Sequence, residues 1–194
     1  MARPKEFNQE KVLDKAVEMF WAKGYEATSM QDLVDAMGIQ RGSLYGSFGS
    51  KQQLFLMALQ RYGEVVVKKL LEILESRASG LESIELFFSQ LVEHLVSAGP
   101  LRGCLVTNSA VERGLSDPQT QIQVCRLLKA IEKGFYQALY RAQQNHEISA
   151  NIDLGSMAEF LTSSMQGLLV VGKVRSEREV LEGINRVTLS VLKA

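Results

Sequence analysis

Apolar residues return every three or four positions along nearly the whole chain, as in Val12, Ala16, Met19 and Phe20 and again in Leu33, Val34 and Met37, while the strict alternation of a half-buried strand is rare. This spacing predicts an all-α protein. The first helix is expected from about Asn8, an N-cap, to Lys23, with Gly24 as its stop. Thr28 and Ser29 form a cap pair that opens a second helix, with Asp32 three residues after Ser29 as a loose capping box and Gly38 as its end. A short third helix is expected over about 40–48, and Ser50 caps a long fourth one reaching about Arg77, a rigid bridge. Further helices are expected at about 81–98, 102–113, 118–144, 153–174 and 177–193, so about nine in all, separated by turn chemistry such as "SAGPLRG" and "NHEISANID". The three short helices before Ser50 and the longer ones after it place a boundary there, giving a small module over 1–50 and a larger one over 51–194.

Composition narrows the function. Lysine plus arginine (22) equal aspartate plus glutamate (22), so affinity for nucleic acid has to come from a local patch. The start, "MARPKEFNQE", has no apolar h-region, and no run of 18 apolar residues occurs, so a cytoplasmic chain without a membrane span is expected. His94 and His146 stand on different segments without acidic partners at ligand spacing, and Cys104 and Cys125 form no CxxC, so neither a metal nor another cofactor is indicated. No nucleophile and base are arranged as in an enzyme.

The stretch "GSLYGSFGSK", from Gly42 to Lys51, first suggests a phosphate-binding nucleotide loop, but that loop needs GxxxxGK[ST] between a strand and a helix. Here a helix precedes. Two short helices joined by the glycine turn Gly38-Ile39 are the sequence form of a helix-turn-helix, whose second helix enters the DNA major groove. With Leu44 and Phe48 facing inward, Gly42 and Gly46 lie about 160° from Leu44, and Arg41 and Tyr45 flank them. Each interior glycine costs roughly 1 kcal/mol against alanine. A side-chain-free outward stripe is tolerable where the helix backbone must approach a bulky surface closely, as in a DNA groove. Between Ala36 and Gly63 no acidic residue occurs, whereas Arg41, Lys51 and Arg61 do, which favours phosphate contact.

The run "ATSMQDLVDAMGIQRGSLYGSFGSKQQLF", with "AVEMFWAKGYEATSM" before it, resembles the helix-turn-helix of the TetR (tetracycline-repressor) family of transcriptional regulators over about residues 8–58. The phrase "GCLVTNSAVE" resembles a segment of one branch of that family. The resemblance implies that Thr28 and Lys51 hold DNA phosphates, that Gln40, Arg41 and Ser43 lie nearest to base edges, and that Tyr45 reaches the DNA backbone. Arg41 suits guanine and Gln40 adenine. Arg3 and Lys5 form a short basic arm, read either as a phosphate or minor-groove contact or as solvated charge.

The partners so implied are a double-stranded operator, a second copy of the chain paired through about 153–193 as a four-helix bundle, and an unknown small-molecule inducer enclosed by helices four to eight. In "MAEFLTSSMQGLLVVGKV", Ser163, Ser164 and Gly167 would permit close helix packing. A two-fold pair reads two half-sites about 34 to 36 Å apart, or a multiple of that, which makes a palindromic operator the expected one.

Cys104, directly after "GPLRG" with Arg102 nearby, is expected in the first turn of a helix, where the helix dipole and a cation favour thiolate. One reading makes it a sensor of an oxidant or electrophile with Lys173 as electrostatic partner; the other makes it a small buried hydrophobe and Lys173 a lysine snorkelling to water. Cys125, in the middle of its helix, is read as core filler. The expected function is a DNA-binding repressor released by a small-molecule or reactive-electrophile signal. The alternative is a helical ligand-carrier or interaction protein with a vestigial helix-turn-helix.

Overall fold

The computed structural model describes residues 8–97 and 102–193, and among them there is no strand. Arg3 and Lys5 lie outside the described residues. The chain forms α1 (Gln9–Lys23), α2 (Met30–Met37), α3 (Arg41–Phe48), α4 (Lys51–Tyr62), a π-helical turn (Gly63–Val67), α5 (Lys68–Glu75), α6 (Gly80–Ser97), α7 (Leu105–Arg113), α8 (Pro118–Gln144), α9 (Leu154–Gly172) and α10 (Arg178–Ser190). Because α4, the π turn and α5 run on without a break, the described residues make nine rods, the expected number. The fourth of these is not the uniform rod expected, since the π turn begins at Gly63, and it ends at Glu75, two residues short of Arg77.

The helix starts follow from their caps. Asn8 accepts the Lys11 N–H at 3.1 Å, and Ser29 with Asp32, and Ser50 with Gln53, form reciprocal capping boxes that satisfy donors of the first turns of α2 and α4. Gly38 closes α2 in the left-handed region at φ 67°, where a side chain would be strained, and sends its N–H to the Val34 carbonyl at 2.9 Å.

The described residues of Met1–Val65 with Leu105–Val124 form one compact unit, and those of Val66–Cys104 with Cys125–Ala194 form a second. The first is held together by Ala16, Val17 and Phe20 of α1, Leu33 and Met37 of α2, Leu44 and Phe48 of α3, and Leu54, Phe55 and Leu59 of α4, all buried. The Phe20 and Phe55 rings meet edge to face with centroids 5.1 Å apart, and Tyr25 adds a second edge contact to Phe55 at 5.0 Å. In the second unit Phe87 and Phe88 of α6 pack on Phe135 of α8, with centroids 5.0 and 5.8 Å away. Glu147, in the turn after α8, accepts the Leu81 N–H at 3.0 Å and the Ser79 hydroxyl at 2.9 Å, tying the start of α6 to that turn.

The buried stripe of α8 is Val124, Leu127, Ile131, Phe135, Ala138, Leu139 and Ala142. Cys125 is not part of it. One residue after Val124 is about 100° around the helix, and the thiol is exposed, not core filler as expected.

Candidate nucleic-acid interface

The outer face of α3 is continuous. Leu44 and Phe48 are buried, while Gln40, Arg41, Gly42, Ser43, Tyr45 and Gly46 are all exposed, Tyr45 by 45%. A Cβ placed on Gly42 or Gly46 meets nothing within 4 Å, so the bare stripe faces open space and no neighbouring element of the chain accounts for it. Gln40 is the N-cap residue of α3 but makes no capping bond with its side chain, which leaves the amide for other partners. Arg41 makes no ion pair among the described residues.

Lys51 occupies the first turn of α4, its Nζ 4.3 Å from the centroid of the Tyr25 ring. Burial pushes the Tyr25 phenol up, a shift that the nearby Arg113 partly offsets. Thr28, expected to hold a DNA phosphate, differs from Lys51 in its surroundings. It is fully buried, and its hydroxyl donates to the Gly24 carbonyl at 2.5 Å, where it fastens the turn between α1 and α2. The exposed residue at the start of α2 is Ser29. Of the three cations counted between Ala36 and Gly63, Arg61 is also committed within the fold: its Nε donates to Asp14 at 2.8 Å, a bond that raises the already high pKa of the guanidinium. The local positive charge therefore resides in Arg41 and Lys51.

A further ion pair sets the two helices before α3. Lys23, the last residue of α1, meets Asp32 in the first turn of α2 at 2.6 Å. That hydrogen bond, with those from the Ser29 N–H and hydroxyl, holds the Asp32 carboxyl far below the ordinary carboxylate range.

Elsewhere, Cys104 is buried and directly precedes α7; it does not lie within the first turn as expected, because the helix starts at Leu105 and not near 102. Gly103 turns there at φ +66°, and a Cβ on it would stand 2.6 Å from the Lys173 Cδ, so the stem of Lys173 is brought beside the residue preceding Cys104. Along α9, Phe160, Ser163, Gly167 and Val170 form an exposed apolar and small stripe at helical spacing, which exposed Val174 continues just past the helix end, and Phe160 and Ser164 border a groove with Val180, Gly183, Ile184 and Val187 of α10.

Residues 12–58 match the family described as bacterial regulatory proteins, tetR family, and residues 80–187 match the tetracyclin repressor-like C-terminal domain. The HTH-type transcriptional regulator YezE of Bacillus subtilis is 36% identical over 193 residues, covering 99% of this chain and all of that one. The chain belongs to the TetR family. The HTH-type transcriptional repressor ComR of Escherichia coli is 30% identical, with 96% of this chain and 90% of that protein covered. The TetR-family regulator CifR, solved as a cysteine mutant with a 26 bp double-strand operator DNA, superposes with a TM-score of 0.85 at 27% identity, covering 98% of this chain and all of that one. As a TetR-family member the chain is a DNA-binding transcriptional regulator, and the face of α3 just described lies within the matched N-terminal segment. No described helix is long and apolar enough to cross a membrane. The contacts that sequence reasoning missed are those that α7 makes with the helix-turn-helix, because they join residues some 87 positions apart.

Proposed function

We propose that the chain is a cytoplasmic, homodimeric repressor that reads a palindromic operator through α3. Gln40, Arg41 and Ser43 face base edges, Gly42 and Gly46 let the helix backbone approach the groove, Tyr45 and Lys51 hold phosphates, and the turn at Thr28 presents the N-terminus of α2 to a further phosphate. The observation that carries this reading is the uninterrupted exposed face of α3, with two glycines whose missing side chains nothing inside the protein requires. The division of labour follows the helix lengths, with the reading head over 1–50 and the regulatory remainder over 51–194. The α9 and α10 stripe is the surface for the second copy, over about 153–193, because its apolar residues are exposed in the single chain.

The regulatory part receives a signal, either a small-molecule inducer or a reactive electrophile or oxidant arriving at Cys104 with Lys173 beside it. The signal favours a state in which the two heads no longer match both half-sites. A coupling of ~1 to 3 kcal/mol weakens operator binding about 5- to 150-fold, without catalytic turnover.

The test is a mobility shift with DNA upstream of the chain's own reading frame, comparing the parent with Arg41→Ala and Tyr45→Phe. Arg41→Ala should cost about 1 to 3 kcal/mol and relax base preference at one position. Unchanged binding by both variants overturns the assignment of the α3 face.

A further inference from the structure

The two expected phosphate anchors, the start of α2 and Lys51, stand at opposite ends of the helix-turn-helix in sequence, yet both are held from one place. That place is the end of α7 and the turn into α8, in the same compact unit as α1 to α4. Glu112 accepts the Tyr25 N–H at 2.8 Å through Oε2 and the Glu26 N–H at 2.9 Å through Oε1, so one carboxylate satisfies two donors of the turn leading into α2. A Cβ on Gly24, which turns at φ +83°, would stand 2.9 Å from Glu112 Oε2, so the glycine leaves room for the carboxylate to sit against this turn. Arg113 donates to Glu26 at 2.6 Å and to the Gln52 side-chain oxygen at 3.2 Å, next to Lys51. The Gln52 amide in turn donates to Asp117, which also accepts the Thr120 N–H at 3.0 Å and the Thr120 hydroxyl. The Arg113 guanidinium lies 3.9 Å from the centroid of the Tyr25 ring, the ring that also carries Lys51. Burial opposes ionisation of Asp117, but its bonds from Thr120 and Gln52 and the charge of Arg113 prevail and hold its carboxyl below the usual range.

We propose that Glu112, Arg113 and Asp117 are positioning residues for operator binding, setting the spacing between the start of α2 and Lys51 by holding Tyr25, Glu26 and Gln52. Two of the three are anions, which a DNA phosphate repels, and Arg113 is bonded to Glu26 and lies 3.8 Å from Asp117, with its side chain only 15% exposed. Their effect on DNA therefore passes through the residues they hold. Glu112 closes the phrase "GCLVTNSAVE", so that segment acquires a role at its far end that does not involve its cysteine. The inference rests on the reading of Lys51 as a phosphate contact.

The experiment measures binding of the full-length protein to a fluorescein-labelled duplex of its own upstream DNA by anisotropy, over a range of potassium chloride. Each phosphate contact contributes about 0.9 to the slope of log affinity against log salt. Arg113→Ala and Glu112→Gln should weaken binding at least about tenfold and make the slope shallower by about one contact, as Lys51→Ala does. Arg113→Ala combined with Lys51→Ala should lose less slope than the sum of the two single losses, since part of the Arg113 effect passes through Lys51. Arg113→Lys, which keeps the charge but not the fork, should recover part of the loss. Glu112→Gln keeps the shape of the side chain and carries the test if Arg113→Ala does not fold. Unchanged affinity, or weaker binding at the parent's slope, overturns the positioning role. If Lys51→Ala itself leaves the slope unchanged, the phosphate reading falls and takes this inference with it.

Discussion

Lys23 and Asp32 meet at 2.6 Å across the turn between α1 and α2, and the same carboxylate caps α2 through the Ser29 N–H. One residue therefore performs two tasks, a helix cap and an inter-helix tie, and both require it to be charged. Because the folded state holds the Asp32 carboxyl below its unfolded value, its contribution to stability is fully present above about pH 4 and is lost as pH falls through the folded value. Thermal unfolding from pH 7 to pH 2.5 should show a lower midpoint for Asp32→Asn than for the parent at neutral pH, with the two curves converging in acid. Parallel curves would remove the link between this carboxylate and acid sensitivity.

Gly42 and Gly46 separate stability from function. A methyl group at either position meets nothing within 4 Å and improves helix propensity, so Gly42→Ala and Gly46→Ala should each stabilise the fold by about 1 kcal/mol. If the stripe faces a DNA groove, the same methyls keep the helix from its seat, and operator affinity should fall at least about tenfold, ~1.4 kcal/mol. Chemical denaturation and anisotropy on the same samples decide it. More stable proteins with undiminished operator binding would mean that the glycines serve no close approach.

How far the sequence carries the structure is visible in α3. Its inward pair, Leu44 and Phe48, and its outward glycines follow from helical period alone, because the relation is local. The caps Asn8, Ser29 and Ser50 are legible for the same reason, since each acts within its own first turn. What escapes is chemistry that depends on a neighbour distant in the chain. Arg61 looks like free positive charge until Asp14, 47 residues earlier, takes its guanidinium. Thr28 reads as half of a cap pair and a phosphate contact, whereas the fold closes over it and turns its hydroxyl to Gly24. Glu112 gives no local sign that it fastens the turn at Tyr25. Cys125 is different, because the α8 stripe puts it about 100° from Val124, a local relation that a mid-helix position alone does not convey.

The stripe on α9 predicts where a second copy sits. Gly167 has open space above it in the single chain, between exposed Phe160 and Val174, so a leucine there does not disturb the monomer. In a dimer closed over this stripe it does, because two helices approach closely only over small residues. Gly167→Leu should keep the parent's helical content while raising the dimer dissociation constant by about a hundredfold, ~2.8 kcal/mol, in sedimentation velocity. A dimer of parental strength would place the contact on another face.

The two cysteines make opposite predictions. Cys125 is exposed, so a maleimide should label it in the native protein at the rate of a free thiol. Cys104, 6% exposed, should react only as the segment around Gly103 opens, and therefore much more slowly. If Cys104 receives the signal, a quinone-class electrophile should release operator DNA from the Cys125→Ser protein, in which the faster thiol is absent, and should fail to do so when Cys104→Ser is added. Mass spectrometry of the released protein should place the adduct on the peptide holding Cys104. Equal release by the single and double variants would show that the signal enters elsewhere, leaving Cys104 as a small apolar residue packed at the start of α7.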